Sequence, residues 1–142
     1  LFATSSDQRP LFTLSIVYLS NMKIKKIITI TVTVVAVGMA AISGIMKLSG
    51  SADVVKMLET VGVGEYRVLL GIAEIAFAAL FAIPKTMKIG FILLTAYFAG
   101  ALATEVSNHT MLNAMTPLML IWISAFLRDP YIFLPVPNQD HL

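Results

Sequence analysis

The sequence predicts an all-α membrane fold: a transmembrane four-helix bundle with a short amphipathic helix between its first two long helices. Three observations predict it. The 142 residues are 58% hydrophobic and only 13% charged, against roughly 25% charge in an ordinary soluble domain. A chain of this size cannot bury so many apolar side chains in one core. The apolar residues also gather into four long stretches, each near the roughly 17–25 residues that cross a bilayer. Finally, the charges avoid those stretches, which hold four of the 18 charged residues, and only Glu74 lies deep inside one. A soluble monomer, a disordered chain and a nucleic-acid-binding domain are excluded by the same composition. β-Barrel strands would be about 10 residues long and would alternate, which these runs do not.

The first stretch, 27–46, carries no charge. The second, 66–83, has Arg67 near its start and Glu74 within it. The third, 87–106, has Lys88 and Glu105 near its ends. The fourth, 111–127, is uncharged and contains Pro117, which is expected to kink it and free a backbone carbonyl for Thr116 or Asn113 to satisfy. Pro84-Lys85-Thr86 and residues 107–110 are short connections, so the helices they join are expected to be antiparallel neighbours. The longer connection, 47–65, places Val54, Val55, Leu58 and Val61 at helical spacing with Asp53, Lys56 and Glu59 on other faces. Ser51 or Asp53 is a candidate cap, and Gly62 and Gly64 are candidate terminators. This reads as a short amphipathic helix at the membrane surface or across the bundle end. Small residues Ala40, Ala41 and Gly44 on the first long helix, and Ala96, Ala99, Gly100 and Ala103 on the third, are expected packing surfaces.

Residues 1–21 read as an extension. The apolar run 11–19 is too short to span, and the lysines follow it instead of preceding it, unlike a secretory signal. Met22-Lys23-Ile24-Lys25-Lys26 looks like a translation start, so the expected domain is 22–135, with 136–142 as a tail. Lys23, Lys25, Lys26, Lys85, Lys88 and Arg128 lie at one end of the bundle, and Lys47, Lys56 and Arg67 at the other. The positive-inside rule then puts the first end, with both termini, in the cytoplasm.

Glu74 is the leading site candidate. It sits about 12 Å along its helix at 1.5 Å per residue, near mid-bilayer. A carboxylate there costs several kcal/mol unless paired, hydrated or protonated. Gly71, Phe77, Ala78 and Phe81 share its face, with Arg67 two turns away. Lys47, Arg67, Glu105 and His109 belong to the same half of the bundle and can converge on it. Equally, Lys47, Arg67 and Glu105 can snorkel to headgroups, His109 can be a solvated loop residue, and Glu74 can serve helix register alone. Tyr97 either hydrogen-bonds within the bundle or lines a pocket. With no cysteine and two histidines, His109 and His141, no metal centre, haem or iron–sulfur cluster is expected.

The ordered features SGIMKL at 43–48, Gly71 to Glu74 as G-x-x-E, GFILLTAYFAGALATEV at 90–106, Pro117, and W-x-x-x-x-L-R-D-P from Trp122 to Pro130 resemble the DoxX-like family of small four-helix bacterial membrane proteins. The resemblance covers about residues 27–135. Lys47, Gly71, Glu74, Gly100 and Arg128 match its pattern. Glu105 stands where relatives often carry a histidine, with His109 one turn later. The resemblance implies a multi-pass protein of the bacterial inner membrane. It also implies a link to quinone redox chemistry, because the family name traces to a subunit associated with thiosulfate:quinone oxidoreduction. The expectation is therefore an accessory subunit with no redox centre of its own, taking quinone as its ligand. Its expected partners are the lipid bilayer and a redox subunit or further copies of itself. A structural or assembly subunit without ligand, and a small proton-linked carrier, are the alternatives.

Overall fold

The computed structural model describes residues 9–135. The expected tail at 136–142 and the first eight residues of the expected extension lie outside the described residues. Those described are all-helical, with five α-helices, α1 (Arg9–Ser49), α2 (Ala52–Thr60), α3 (Arg67–Ala82), α4 (Met87–Ser107) and α5 (Met115–Arg128), and two short 3-10 turns at Gly64–Tyr66 and Pro130–Ile132. Helix α1 packs on α3 and α5, and α4 packs on the same two from the other side. The four long helices thus close a ring, and sequence neighbours run antiparallel around it.

Among the described residues, two helical segments are long and apolar enough to cross a membrane, Val17–Ser49 and Met87–Ser107. Helix α1 starts well before the expected residue 27. No proline or glycine interrupts the chain between Leu11 and Val37, so the helix continues through the region read as an extension. From Val17 to Ile28 its side chains are all exposed, and its packing begins at Thr29. Helix α5 starts at Met115 instead of 111, and the reason is Pro117. A proline is tolerated in a first turn, where its missing N–H has no helical partner. The chain therefore places Pro117 there, and residues 111–114 stay outside the helix. The expected kink does not occur, and no freed carbonyl needs Thr116 or Asn113.

Helix α2 ends as expected at Gly62, which has a φ of +76°. The N–H of Val63 reaches the carbonyl of Leu58 at 2.9 Å, and that of Gly62 reaches Glu59 at 3.0 Å, the paired bonds of a Schellman terminator. Ser51 takes the N-cap position, although its side chain makes no capping bond. Leu58 is the buried residue of α2 and turns into the ring.

The core is asymmetric. Phe81, Leu94 and Ile121 are large and fully buried on α3, α4 and α5, while α1 contributes Ala36 and Ala40 and the buried Gly44. Small residues on α1 let it approach α3 closely. A Cβ added to Gly44 would sit 2.9 Å from the Gly71 carbonyl oxygen, and one added to Gly71 would sit 2.9 Å from that of Gly44. The other expected small-residue surface on α4 is exposed instead, Ala99 and Ala103 outward and Ala96 and Gly100 onto a cleft, because α4 meets its neighbours through Phe91, Leu94 and Phe98. Much of the outer surface is aliphatic, including Ile42, Leu69, Ile72, Ile92 and Ile123, whereas Glu74 and Ser124 are fully buried. Ser124 bonds the Thr33 hydroxyl across α1 and α5 at 2.8 Å.

Candidate functional site

Glu74 lies on the buried face of α3 with Gly71, Ala78 and Phe81, and none of its surface is exposed. The Gly44–Gly71 crossing brings its partner within reach. Side chains on a helix lean toward that helix's own N-terminus. Because α1 and α3 are antiparallel, Lys47 and Glu74, each three residues beyond a crossing glycine, lean toward one another. Lys47 Nζ donates to Glu74 Oε2 at 2.7 Å and to Ser43 Oγ at 2.7 Å. The Tyr97 hydroxyl on α4 lies 3.1 Å from the same carboxylate oxygen and 3.3 Å from the Leu70 carbonyl. Three helices therefore meet at one oxygen. Glu74 Oε1 is buried and has no hydrogen-bond partner among the described residues.

Lys47 and Tyr97 form part of the wall of a cleft of about 450 Å³ between the ends of α1, α4 and α5, with Met57, Leu58 and Val61 of α2 above it. Most of the lining is apolar. Ser43, Thr104, Glu105, Thr110 and Asn113 add polar groups. Glu74 is not in the wall but stands directly behind the two side chains that are.

The remaining candidates do other work. Arg67 does not reach Glu74. Its guanidinium donates to the carbonyls of Lys47 and, at 3.1 Å, Leu48, satisfying the open C-terminal end of α1. Glu105 accepts the Ala114 N–H at 3.0 Å and so ties the start of α5 to the end of α4, while also touching the cleft. His109 is exposed and has a φ of +53°. The Thr110 N–H reaches the Glu105 carbonyl at 3.0 Å and the His109 N–H reaches Val106 at 3.2 Å. His109 is thus the left-handed residue of a second Schellman terminator, at the end of α4.

Arg128 repeats the logic of Arg67 at the opposite end. It donates to the carbonyls of Phe81 at 2.5 Å and Ala82 at 3.3 Å, closing the C-terminus of α3, and its guanidinium lies over the Phe81 ring.

The sequence profile of the DoxX-like family matches residues 31–127, which spans α1 from its packed portion to the last turn of α5. The chain belongs to the DoxX-like family. No curated protein and no solved structure shows a match. Within the DoxX-like segment fall the crossing glycines, the Lys47–Glu74–Tyr97 cluster, and the cleft. Membership of this family and the two apolar helices both support a membrane protein.

Proposed function

We propose that the chain is a transmembrane four-helix bundle, formed by α1, α3, α4 and α5, which holds a quinone head group in the cleft beneath α2 as an accessory subunit of a quinone-linked redox system. The carrying observation is the Lys47–Glu74–Tyr97 cluster, two of whose members face the cleft. Small-molecule sites are typically apolar clefts of about 300–1,000 Å³ with a few convergent polar groups, and this cleft has that size and lining. The polar groups fit the ligand: Lys47 keeps one N–H for a quinone carbonyl beyond those given to Glu74 and Ser43, and the Tyr97 oxygen, whose own hydrogen is spent within the protein, accepts from a quinol hydroxyl. The Glu74 Oε1, which has no partner among the described residues, fits as well, since a buried acceptor without a donor is costly and a water beside the cleft relieves it.

When bound, a quinone would supply two-electron, two-proton redox chemistry. Lys47 and Tyr97 orient its oxygens, and Glu74 behind them fixes the positions of both side chains. The electrons belong to a partner subunit. In this reading the aliphatic exterior faces lipid. The bundle end bearing Lys26, Lys85, Lys88 and Arg128 faces the cytoplasm of a bacterium by the positive-inside rule, and the α2 end faces out.

The test is titration of the purified full chain in nanodiscs with a short-chain benzoquinone and a naphthoquinone. Saturable binding that weakens about tenfold in Lys47→Met, the loss of one charge-assisted hydrogen bond, is expected. Absence of saturable binding by the unaltered chain overturns the reading. It would leave the alternative of an assembly subunit, favoured by the Gly44–Gly71 crossing, in which the ion pair fixes helix register alone.

A further inference from the structure

The end of the bundle remote from α2 carries a second cleft. Lys26 of α1, Lys88 of α4 and Arg128 of α5 line one space of about 460 Å³, together with Ile30, Pro84, Met87, Leu127 and Asp129. Three cations from three helices, more than 60 residues apart from first to second, meet here with a single carboxylate. Asp129 bonds Lys88 at 3.2 Å, which uses one of the three ammonium donors. Arg128 spends two of its five N–H groups on the Phe81 and Ala82 carbonyls. Lys26 has no ion-pair partner among the described residues. The cleft therefore retains excess positive charge and unused donors. At the other cleft, by contrast, the Lys47 charge is already matched by Glu74.

We propose that this cleft binds the anionic phosphodiester headgroup of a membrane lipid, with Lys26, Lys88 and Arg128 taking its phosphate oxygens. Apolar surface decides for a lipid over a free anion. Ile30, Met87 and Leu127 border the cations inside the cleft, and Ile27, Ile28 and Ile30 are exposed on the adjoining turn of α1. An acyl chain leaving the headgroup thus has a surface to lie along. Basic pockets between helices on the cytoplasmic side are where anionic headgroups bind. The inference rests on the transmembrane reading and its orientation, but not on what occupies the cleft beneath α2.

Native mass spectrometry of the full chain, released from micelles supplied with phosphatidylglycerol or phosphatidylcholine, tests it. Phosphatidylglycerol is retained in preference to phosphatidylcholine, and Lys26→Gln and Lys88→Gln each lower that retention about fivefold. Lys25→Gln, at the same bundle end but outside the cleft, leaves retention unchanged. Asp129→Asn, which keeps an oxygen for the Tyr131 N–H and frees Lys88, raises it. A parallel arm adds inorganic phosphate to the detergent-solubilised chain and follows thermal stability. No change is expected at concentrations where phosphatidylglycerol stabilises. Equal retention of the two lipids, equal losses in Lys25→Gln and Lys26→Gln, or stabilisation by phosphate alone overturns the proposal.

Discussion

Lys47 and Glu74 meet 2.7 Å apart because the helices carrying them touch backbone to backbone one turn away, at Gly44 and Gly71. The glycines set the separation, and the lean of each side chain toward its own N-terminus closes the rest of the gap. Charge is thereby held inside an interior that is otherwise apolar and hydroxyl-bearing. Removing one member strands the other.

Glu74→Leu or Lys47→Met is accordingly expected to lower stability by about 3 kcal/mol, since breaking a buried pair leaves an uncompensated charge. The double variant Lys47→Met with Glu74→Leu is expected to recover most of that loss, because replacing both partners by apolar residues of similar volume is often neutral. Denaturation of the purified variants in one detergent measures the cycle. Additive losses in the double variant would show that the two side chains are not coupled.

Glycine substitutions rank by the space around them. A Cβ on Gly90 meets the Phe81 backbone nitrogen at 2.2 Å, whereas Gly38 has nothing within 4 Å. Gly90→Ala must push the α3–α4 hairpin apart and is expected to cost at least about 1–3 kcal/mol. Gly71→Ala falls below it, since part of its contact is the movable Leu48 side chain. Gly38→Ala is expected to stabilise by up to about 1 kcal/mol through helix propensity. Thermal unfolding midpoints of the three variants check the order.

His109 gives the cleanest separation of backbone from chemistry. Its left-handed conformation costs an L-residue roughly 1–2 kcal/mol, and glycine avoids that cost. His109→Gly is expected to raise stability by about 1 kcal/mol and to leave quinone binding unchanged. Loss of binding in this variant would place His109 in the site instead.

The contrast between Glu74 and Arg67 shows what the residues reveal before folding. Glu74 stands out because it is a lone carboxylate deep in an apolar run, and burial on the Gly71–Ala78–Phe81 face follows from helical spacing. Its pairing with Lys47 is also within reach of such reasoning, since both belong to the same bundle half. Arg67, Glu105 and His109 belong to that half too, yet each satisfies helix-end backbone groups. Which helix end lacks donors depends on where each helix stops, and that depends on tertiary packing. The start of α5 shows the same limit: an apolar stretch does not mark whether Pro117 falls mid-helix or in a first turn. Tyr97 admits two readings from sequence, a hydrogen bond in the bundle or a place in a pocket wall, and the structure gives it both. The exposure of Ala96, Ala99, Gly100 and Ala103 depends on which face of α4 its aromatic residues claim.

The most direct measurement is the quinone content of the chain purified from its native membrane, determined by solvent extraction and chromatography for the unaltered protein and for Glu74→Gln. A fixed amount of quinone per chain that falls to background in Glu74→Gln is the predicted result. Quinone at background in both, or at equal amounts in both, would contradict the assignment of the Lys47–Glu74–Tyr97 cluster to a quinone site.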